Sequence, residues 1–130
     1  MKKLKKSKIF AGFITCALLI SGTAAYAGTS YTWNESRTLP GNNGNVTSSI
    51  QQKAATGGSA DLSMHATAAQ NVDVRTEGTG GIKGSYVRNV RGGNVYAPSA
   101  PQSQGSDVWL FFSSDLFAPD TSINYDWRSN

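Results

Sequence analysis

The chain has 130 residues, of which 12 are basic and 8 are acidic, and its formal net charge is +4. Five of the basic residues lie within the first eight positions, and every acidic residue lies at Glu35 or beyond it. Residues 28 to 130 therefore carry seven basic and eight acidic side chains, a net charge of −1. A nearly neutral surface of mixed sign lacks the basic footprint of a protein that binds nucleic acid, so nucleic acid is excluded as a partner.

The first 27 residues have the three-part order of an export signal. A lysine-rich stretch (1 to 8) precedes an apolar stretch (9 to 20) and a stretch of small residues (21 to 27), which is the pattern of a secretory leader. Small side chains at positions 25 and 27 suit a signal peptidase, so we predict cleavage between Ala27 and Gly28. The apolar stretch is shorter than the roughly 20 residues that span a bilayer. We therefore expect a secreted protein with no stable membrane span after cleavage.

A lipoprotein leader is an alternative, because Cys16, the only cysteine of the chain, follows Phe13-Ile14-Thr15. Thr15 is a poor residue before a lipidated cysteine, and the apolar run continues beyond it, so we reject that alternative. The mature part then has no cysteine and no disulfide. A domain of about 100 residues buries roughly two-thirds of its unfolded surface, and this core must provide the stability. A lysine-heavy leader on a cysteine-free domain is typical of Gram-positive export products.

Short alternating runs of apolar and polar residues predict strands throughout residues 28 to 130. The runs cover 31–38, 46–55, 60–67, 72–77, 82–91, 95–96, 108–112 and 122–128. The second run also suits a helix, and the run at 108–112 predicts a central strand, either buried on both faces or with an aromatic side exposed. Glycines at 78–81 indicate a hairpin, and the proline-containing segment 97–106 predicts an exposed loop. We predict one small antiparallel β-sandwich of about seven or eight strands.

Patterns for catalysis and metal binding are weak. His65 has no cysteine or second histidine to join it, so we expect a surface histidine on the polar face of its strand. Ser/His/Asp chemistry stays open because serines and aspartates are plentiful, but no serine lies in a Gly-x-Ser-x-Gly context. Four late aspartates match no calcium loop: Asp107, Asp115, Asp120 and Asp126. We expect Asp120 to cap a turn and Asp126 to lie on a solvated strand face, and we predict no metal and no cofactor.

Aromatic residues provide the candidate binding surface. Flat rings on one sheet face stack on sugar rings, and polar neighbours bond to the sugar hydroxyl groups. The candidates are Trp33, Trp109, Tyr125 and Trp127. A domain rich in small residues also needs large rings to fill its core, so core packing stays open as the role of most of them.

The layout of the chain resembles small Sec-exported β-sandwich proteins of unknown function from bacilli and related Gram-positive bacteria. The resemblance rests on the lysine-rich leader, Tyr31-Thr32-Trp33, Gly44-Asn45 and the closing Tyr125-Asp126-Trp127. It implies export and a sandwich, and it brings no functional residues. Bacteriocins of the lactococcin type are similar in having a leader, a sandwich and an aromatic C-terminus, but the Gly- and His-rich tracts expected of them are absent here.

The sequence therefore predicts a secreted, non-enzymatic β-sandwich module. Its partner lies at the cell envelope or outside the cell, for example a cell-wall glycan or an extracellular protein. An edge strand, the 97–106 loop and exposed aromatic residues are the candidate contact surfaces. The alternative is a secreted bacteriocin or toxin-like antimicrobial protein, and its near-neutral charge requires a specific envelope receptor instead of cationic lysis. An enzyme ranks third.

Overall fold

The computed structural model describes residues 28–67 and 71–130. The predicted leader 1–27, which includes Cys16 and Ala27, lies outside these residues, and Gly28 is the first residue described. The described residues form nine strands: β1 (Thr32–Leu39), β2 (Asn45–Thr47), β3 (Gln51–Gln52), β4 (Asp61–Thr67), β5 (Val72–Gly78), β6 (Val87–Val90), β7 (Asn94–Tyr96), β8 (Asp107–Ser114) and β9 (Thr121–Arg128). A single 3₁₀ turn (Thr79–Gly81) links β5 to β6. The all-β prediction is confirmed.

The strands form two antiparallel sheets. The first sheet has the order β1-β9-β4-β7, and the second has the order β2-β8-β5-β6, with β3 also paired to β8. The two sheets share one core, where the rings of Phe112 from β8 and Tyr125 from β9 lie 4.8 Å apart. No helix among the described residues is long and apolar enough to cross a membrane.

The apolar run in β8 buries one face of the strand fully and the other only in part. Val108, Leu110 and Phe112 are fully buried, whereas Trp109 and Phe111 on the opposite face are half-buried. Since successive side chains of a strand point to opposite faces, the inward set fills the core and the aromatic set faces outward. Of the two predicted alternatives, the central strand with an aromatic side exposed is the one observed.

The run at 46–55 forms neither one strand nor a helix. It is divided between β2 and β3 by Ser48, which exchanges hydrogen bonds with Leu110 of β8. The Ser48 amide donates to the Leu110 carbonyl (2.9 Å), and the Leu110 amide donates to Ser48 Oγ (2.8 Å). The hydroxyl thus replaces a main-chain partner, and the break leaves Ile50 62% exposed.

The segment 97–106 is a loop as predicted, but it is not exposed throughout. Pro98, Ala100 and Gln102 are buried. The Gln102 side-chain amide donates to Thr76 Oγ1 (3.2 Å) and to the carbonyl oxygen of Ile82 (3.1 Å). The prolines are tolerated because the loop lies outside the strand ladders, and Gln102 fixes it against β5.

Candidate binding groove

The four predicted aromatic residues lie in different environments. Trp33 is 66% exposed and Trp109 is half-buried, while Tyr125 and Trp127 are fully buried. Tyr125 and Trp127 lie on the same face of β9 as Ile123. Because successive side chains of a strand point to opposite faces, all three point into the core. This corrects the candidate set: Tyr125 and Trp127 cannot contact a ligand at the surface, and Trp33 and Trp109 remain.

A β-bulge positions Trp33. The register of β1 against β9 shifts between Thr32 and Glu35, and bulges of this kind re-aim side chains. Asn34, within the bulge, has φ +51°, a conformation that asparagine tolerates. The main-chain N–H of Asn34 donates to Asp126 Oδ1 across 2.6 Å. The bulge is therefore held by a side chain of the neighbouring strand, and Trp33 projects outward.

Tyr31 is the neighbour of Trp33 on this surface. Their ring centroids lie 4.8 Å apart, with the ring planes inclined by 31°. The Arg128 guanidinium lies 4.8 Å from the Tyr31 ring centroid, and Arg128 Nε donates to Asp61 Oδ2 across 2.6 Å. The Tyr31 hydroxyl donates to the same Asp61 oxygen across 3.4 Å. These contacts fix the Tyr31–Trp33 pair before any ligand arrives.

Asp61 and Arg128 stabilise each other in their charged forms. Burial raises the pKa of Asp61, but hydrogen bonds from Asn130 and Arg128 outweigh burial and hold that pKa below its usual value. The hydrogen bond with Asp61 raises the pKa of Arg128. The pair thus stays ionised around neutral pH.

Two open cavities meet beside this pair. The first, of about 550 Å³, is lined by Ser30, Tyr31, Thr32, Ile50, Gln51, Gln52 and Asp107. The second, of about 600 Å³, is lined by Thr47, Ser48, Ser49, Ile50 and Trp109. Ile50 lines both cavities, so they adjoin at this residue, and we call their combined surface the Ile50 groove. Tyr31 lines the first cavity, Trp109 lines the second, and Trp33 adjoins the first through its contact with Tyr31.

The walls of the Ile50 groove are mostly uncharged. Apart from the Tyr31 phenol, Asp107 is the one ionisable residue among the lining residues. Gln51 is engaged by the fold, since its amide nitrogen donates to Thr32 Oγ1 (2.8 Å) and to the carbonyl oxygen of Trp127 (3.1 Å). The groove therefore offers hydroxyl groups, amides and one carboxylate on a fixed framework.

Sequence reasoning missed Ile50 and left Tyr31 out of the binding set. For Tyr31 a signal was available, because it lies two residues before Trp33 in an alternating run. For Ile50 none was available, since its exposure follows from the break that Ser48 makes between β2 and β3.

His65 has a partner in the structure. Its Nε2 lies 2.8 Å from Asp126 Oδ2, and the other oxygen of Asp126 accepts the Asn34 amide. Asp126 is buried, which corrects its predicted place on a solvated face: its side chain points outward but is covered. Asp120 accepts the Gly41 amide across 2.9 Å, as the capping prediction requires. Among the described residues, no group of three His, Cys, Asp or Glu side chains could hold a metal.

The cations of β5 and β6 are engaged within the second sheet. The Arg75 guanidinium lies 4.5 Å from the Tyr86 ring centroid and 5.0 Å from that of Phe111. Arg75 also pairs with Glu77, and Arg88 pairs with Asp73. Aromatic and acidic neighbours therefore already engage both of these cations.

No protein-family model matches the chain, and no curated protein matches its sequence. The assignment of function therefore rests on the geometry of the groove and on the sequence.

Proposed function

We propose that the protein is an exported, non-enzymatic β-sandwich module that binds a partner at the cell envelope or outside the cell through the Ile50 groove and the Tyr31–Trp33 pair. One observation carries the proposal: Trp33 is 66% exposed and yet is stacked on Tyr31. Single exposed apolar residues are normal, but apolar side chains that adjoin one another at the surface mark binding sites, and Trp and Tyr are enriched among residues that carry binding energy.

The support around the aromatic pair strengthens the proposal. Asp126 fixes the bulge that carries Trp33, and Arg128 and Asp61 fix the ring of Tyr31. A surface fixed in advance loses less conformational entropy when a ligand binds, which raises affinity. The position of Trp33 is not needed to fill the core, because most of its surface is exposed to water.

Export belongs to the same proposal. The leader pattern of residues 1 to 27 supports export. A cut before Gly28 leaves all nine described strands in the mature chain. We further propose a Gram-positive origin, from the lysine-rich leader and the cysteine-free mature sequence.

Binding to isolated cell envelopes tests the proposed function. The purified protein is mixed with Gram-positive envelopes, the envelopes are sedimented, and the bound fraction is measured for wild type, Trp33→Ala and Phe117→Ala. Phe117 is 85% exposed and lies outside the groove lining, so Phe117→Ala is the matched control. We expect wild type and Phe117→Ala to sediment and Trp33→Ala to stay in solution. Equal sedimentation of all three, or of none, would reject the proposal.

The antimicrobial alternative makes a different prediction. A bacteriocin-like protein inhibits the growth of related bacteria when the purified protein is added, whereas a passive binding module does not. No contact among the described residues favours this alternative. The near-neutral charge of residues 28 to 130 counts against lysis by a cationic surface.

A further inference from the structure

The shape of the Ile50 groove indicates a chain-like ligand. Each cavity has the volume of a small-molecule site, which is about 300 to 1,000 Å³, and the two cavities share Ile50. Aromatic side chains lie on both sides of this junction, with Tyr31 in one cavity and Trp109 in the other. A ligand that contacts both rings must pass Ile50, an arrangement that suits an oligomer better than a single small molecule.

The aromatic rings suit a ligand made of successive rings. The rings of Tyr31 and Trp33 pack on each other, and Arg128 lies over the Tyr31 ring, so a ligand ring at this end stacks on the outer face of Trp33. A sugar ring suits such a face, since it presents C–H groups to an aromatic ring and carries hydroxyl groups at its edge. Lining hydroxyl and amide side chains, such as those of Thr47 and Gln52, are suited to bond those edges.

The charge of the groove excludes anionic ligands. The residues that line the two cavities include no Lys, Arg or His, and they include one carboxylate, Asp107. Arg128 contacts Tyr31 and Arg37 contacts Thr47, but these cations are already paired with Asp61 and Glu35. A phosphate-bearing or uronic acid polymer would therefore meet a carboxylate while both of these cations are engaged elsewhere. A neutral chain meets no such repulsion.

A protein partner fits the groove less well. Protein interfaces concentrate their aromatic anchors at the centre of a patch, inside a rim that excludes water. Here the aromatic side chains are distributed between two cavities, and an aliphatic residue, Ile50, lies between them. This arrangement favours an extended ligand that contacts successive positions.

We propose that the ligand of the Ile50 groove is a neutral, linear glycan that stacks on Trp33, beside Tyr31, at one end and on Trp109 at the other. This inference rests on the proposed function and names its ligand class.

Titration with defined oligosaccharides tests the inference. The purified protein is titrated by calorimetry with cellohexaose, chitohexaose, laminarihexaose, mannohexaose and maltohexaose, with glucose and N-acetylglucosamine as monomers, and with hexagalacturonate as the charged counterpart. We expect at least one neutral hexasaccharide to bind at least about tenfold more tightly than its monomer and more tightly than hexagalacturonate. Hexagalacturonate binding as tightly as the best neutral hexasaccharide would overturn the inference.

Variants identify the surface. Trp33→Ala and Trp109→Ala are each expected to weaken hexasaccharide binding by about tenfold or more, and Phe117→Ala is expected to leave it unchanged. Thermal unfolding of each variant checks the fold. Because Trp33 is mostly exposed, its variant keeps the test valid even where Trp109→Ala lowers stability. Binding that survives in a folded Trp33→Ala protein would overturn the inference.

The failure of this inference is distinguishable from failure of the proposed function. Groove-dependent binding to envelopes, with no binding to any neutral hexasaccharide, would overturn the glycan assignment and leave the proposed function standing. Absence of both would overturn both.

Discussion

Trp127 donates its indole Nε1–H to Oε2 of Glu35 across 3.2 Å inside the protein. Glu35 also accepts the Ser49 amide (2.6 Å), the Ser49 hydroxyl (3.0 Å) and the Arg37 guanidinium (2.6 Å). Arg37 in turn donates to the carbonyl oxygen of Thr47. One buried carboxylate of β1 thus joins the first sheet to the segment after β2 in the second, directly beside the cavity lined by Ser49 and Ile50.

Replacing Glu35 tests this connection. Glu35→Ala leaves the Trp127 indole and the Ser49 amide without an acceptor, and each buried donor left unpaired costs about 1 to 3 kcal/mol. We expect the free energy of unfolding to fall by about 3 kcal/mol or more, measured by urea denaturation. Glu35→Gln keeps the shape and one acceptor oxygen, so it should lose less. Equal losses for the two variants would mean that the charge of the carboxylate, and not the number of acceptor oxygens or the packing of the side chain, accounts for the effect.

Lys53 has a similar structural role at the other end of the groove segment. Its side chain is fully buried, and its ammonium donates to the carbonyl oxygens of Gly58, Ser129 and Asn130. Lys53→Met keeps the apolar stem but removes the donors, so we expect the free energy of unfolding to fall by about 2 kcal/mol. Lys83→Met is the matched control, because Lys83 is half exposed and makes one ion pair; it should change stability by less than about 0.5 kcal/mol.

The stability contributed by Lys53 also depends on pH. Burial lowers the pKa of the Lys53 ammonium from its ordinary value of 10.5. Between the lowered pKa and 10.5, the unfolded chain holds a proton that the folded chain has released, so stability rises with pH in that window. Relative to Lys53→Met, which does not titrate there, wild type should gain stability as the pH rises from neutral towards 10.5. A difference that is constant across this range would contradict the assignment.

The sequence predicted the strands because the strands carry their own signal. In β9 the alternation of apolar and polar side chains predicted nearly the whole strand and the face that carries Ile123. In β8 the continuous apolar run predicted a central strand but left open which of its faces is buried. The division of 46–55 into β2 and β3 was not predictable, since it depends on hydrogen bonds between Ser48 and Leu110, which lie 62 residues apart. Ile50 becomes exposed through that long-range contact, and the groove could therefore not be predicted from the sequence.

The aromatic residues show the same limit from the other side. Residue type marked Trp33 and Trp127 as equivalent candidates, but a bulge directs the first outward, and alternation directs the second into the core. A bulge adds one residue to its strand and inverts the face of the later residues in that strand. Alternation alone therefore could not assign the face of Trp33, because the position of the bulge depends on its pairing with β9.

Tryptophan fluorescence separates these environments directly. Trp33 is mostly exposed, Trp109 is half-buried and Trp127 is fully buried. We expect acrylamide to quench part of the emission readily and to leave a blue-shifted component nearly unquenched. Trp33→Phe should remove most of the readily quenched emission, and Trp127→Phe should remove the protected component. A readily quenched fraction unchanged by Trp33→Phe would place the Trp33 ring inside the protein and would remove the basis of the proposed function.

Phe117 offers a test of strain that is independent of the groove. It lies in the β8–β9 loop with φ +65° and is 85% exposed. The flanking backbone is fixed, because the Ala118 amide donates to the Asp115 carbonyl (3.2 Å) and the Asn42 amide donates to the Ala118 carbonyl (2.9 Å). The left-handed conformation costs a bulky residue roughly 1 to 2 kcal/mol, and asparagine adopts it more readily.

Phe117→Asn should therefore raise the free energy of unfolding by about 0.5 to 1 kcal/mol, measured by urea denaturation at fixed pH. Phe117→Ala removes the same ring but keeps most of the conformational penalty, so it serves as the control and should leave stability nearly unchanged. The comparison separates strain from packing, because only the asparagine variant relieves the backbone. If both variants lose stability equally, the Phe117 ring makes contacts that stabilise the folded loop, and strain is not the dominant effect at this position.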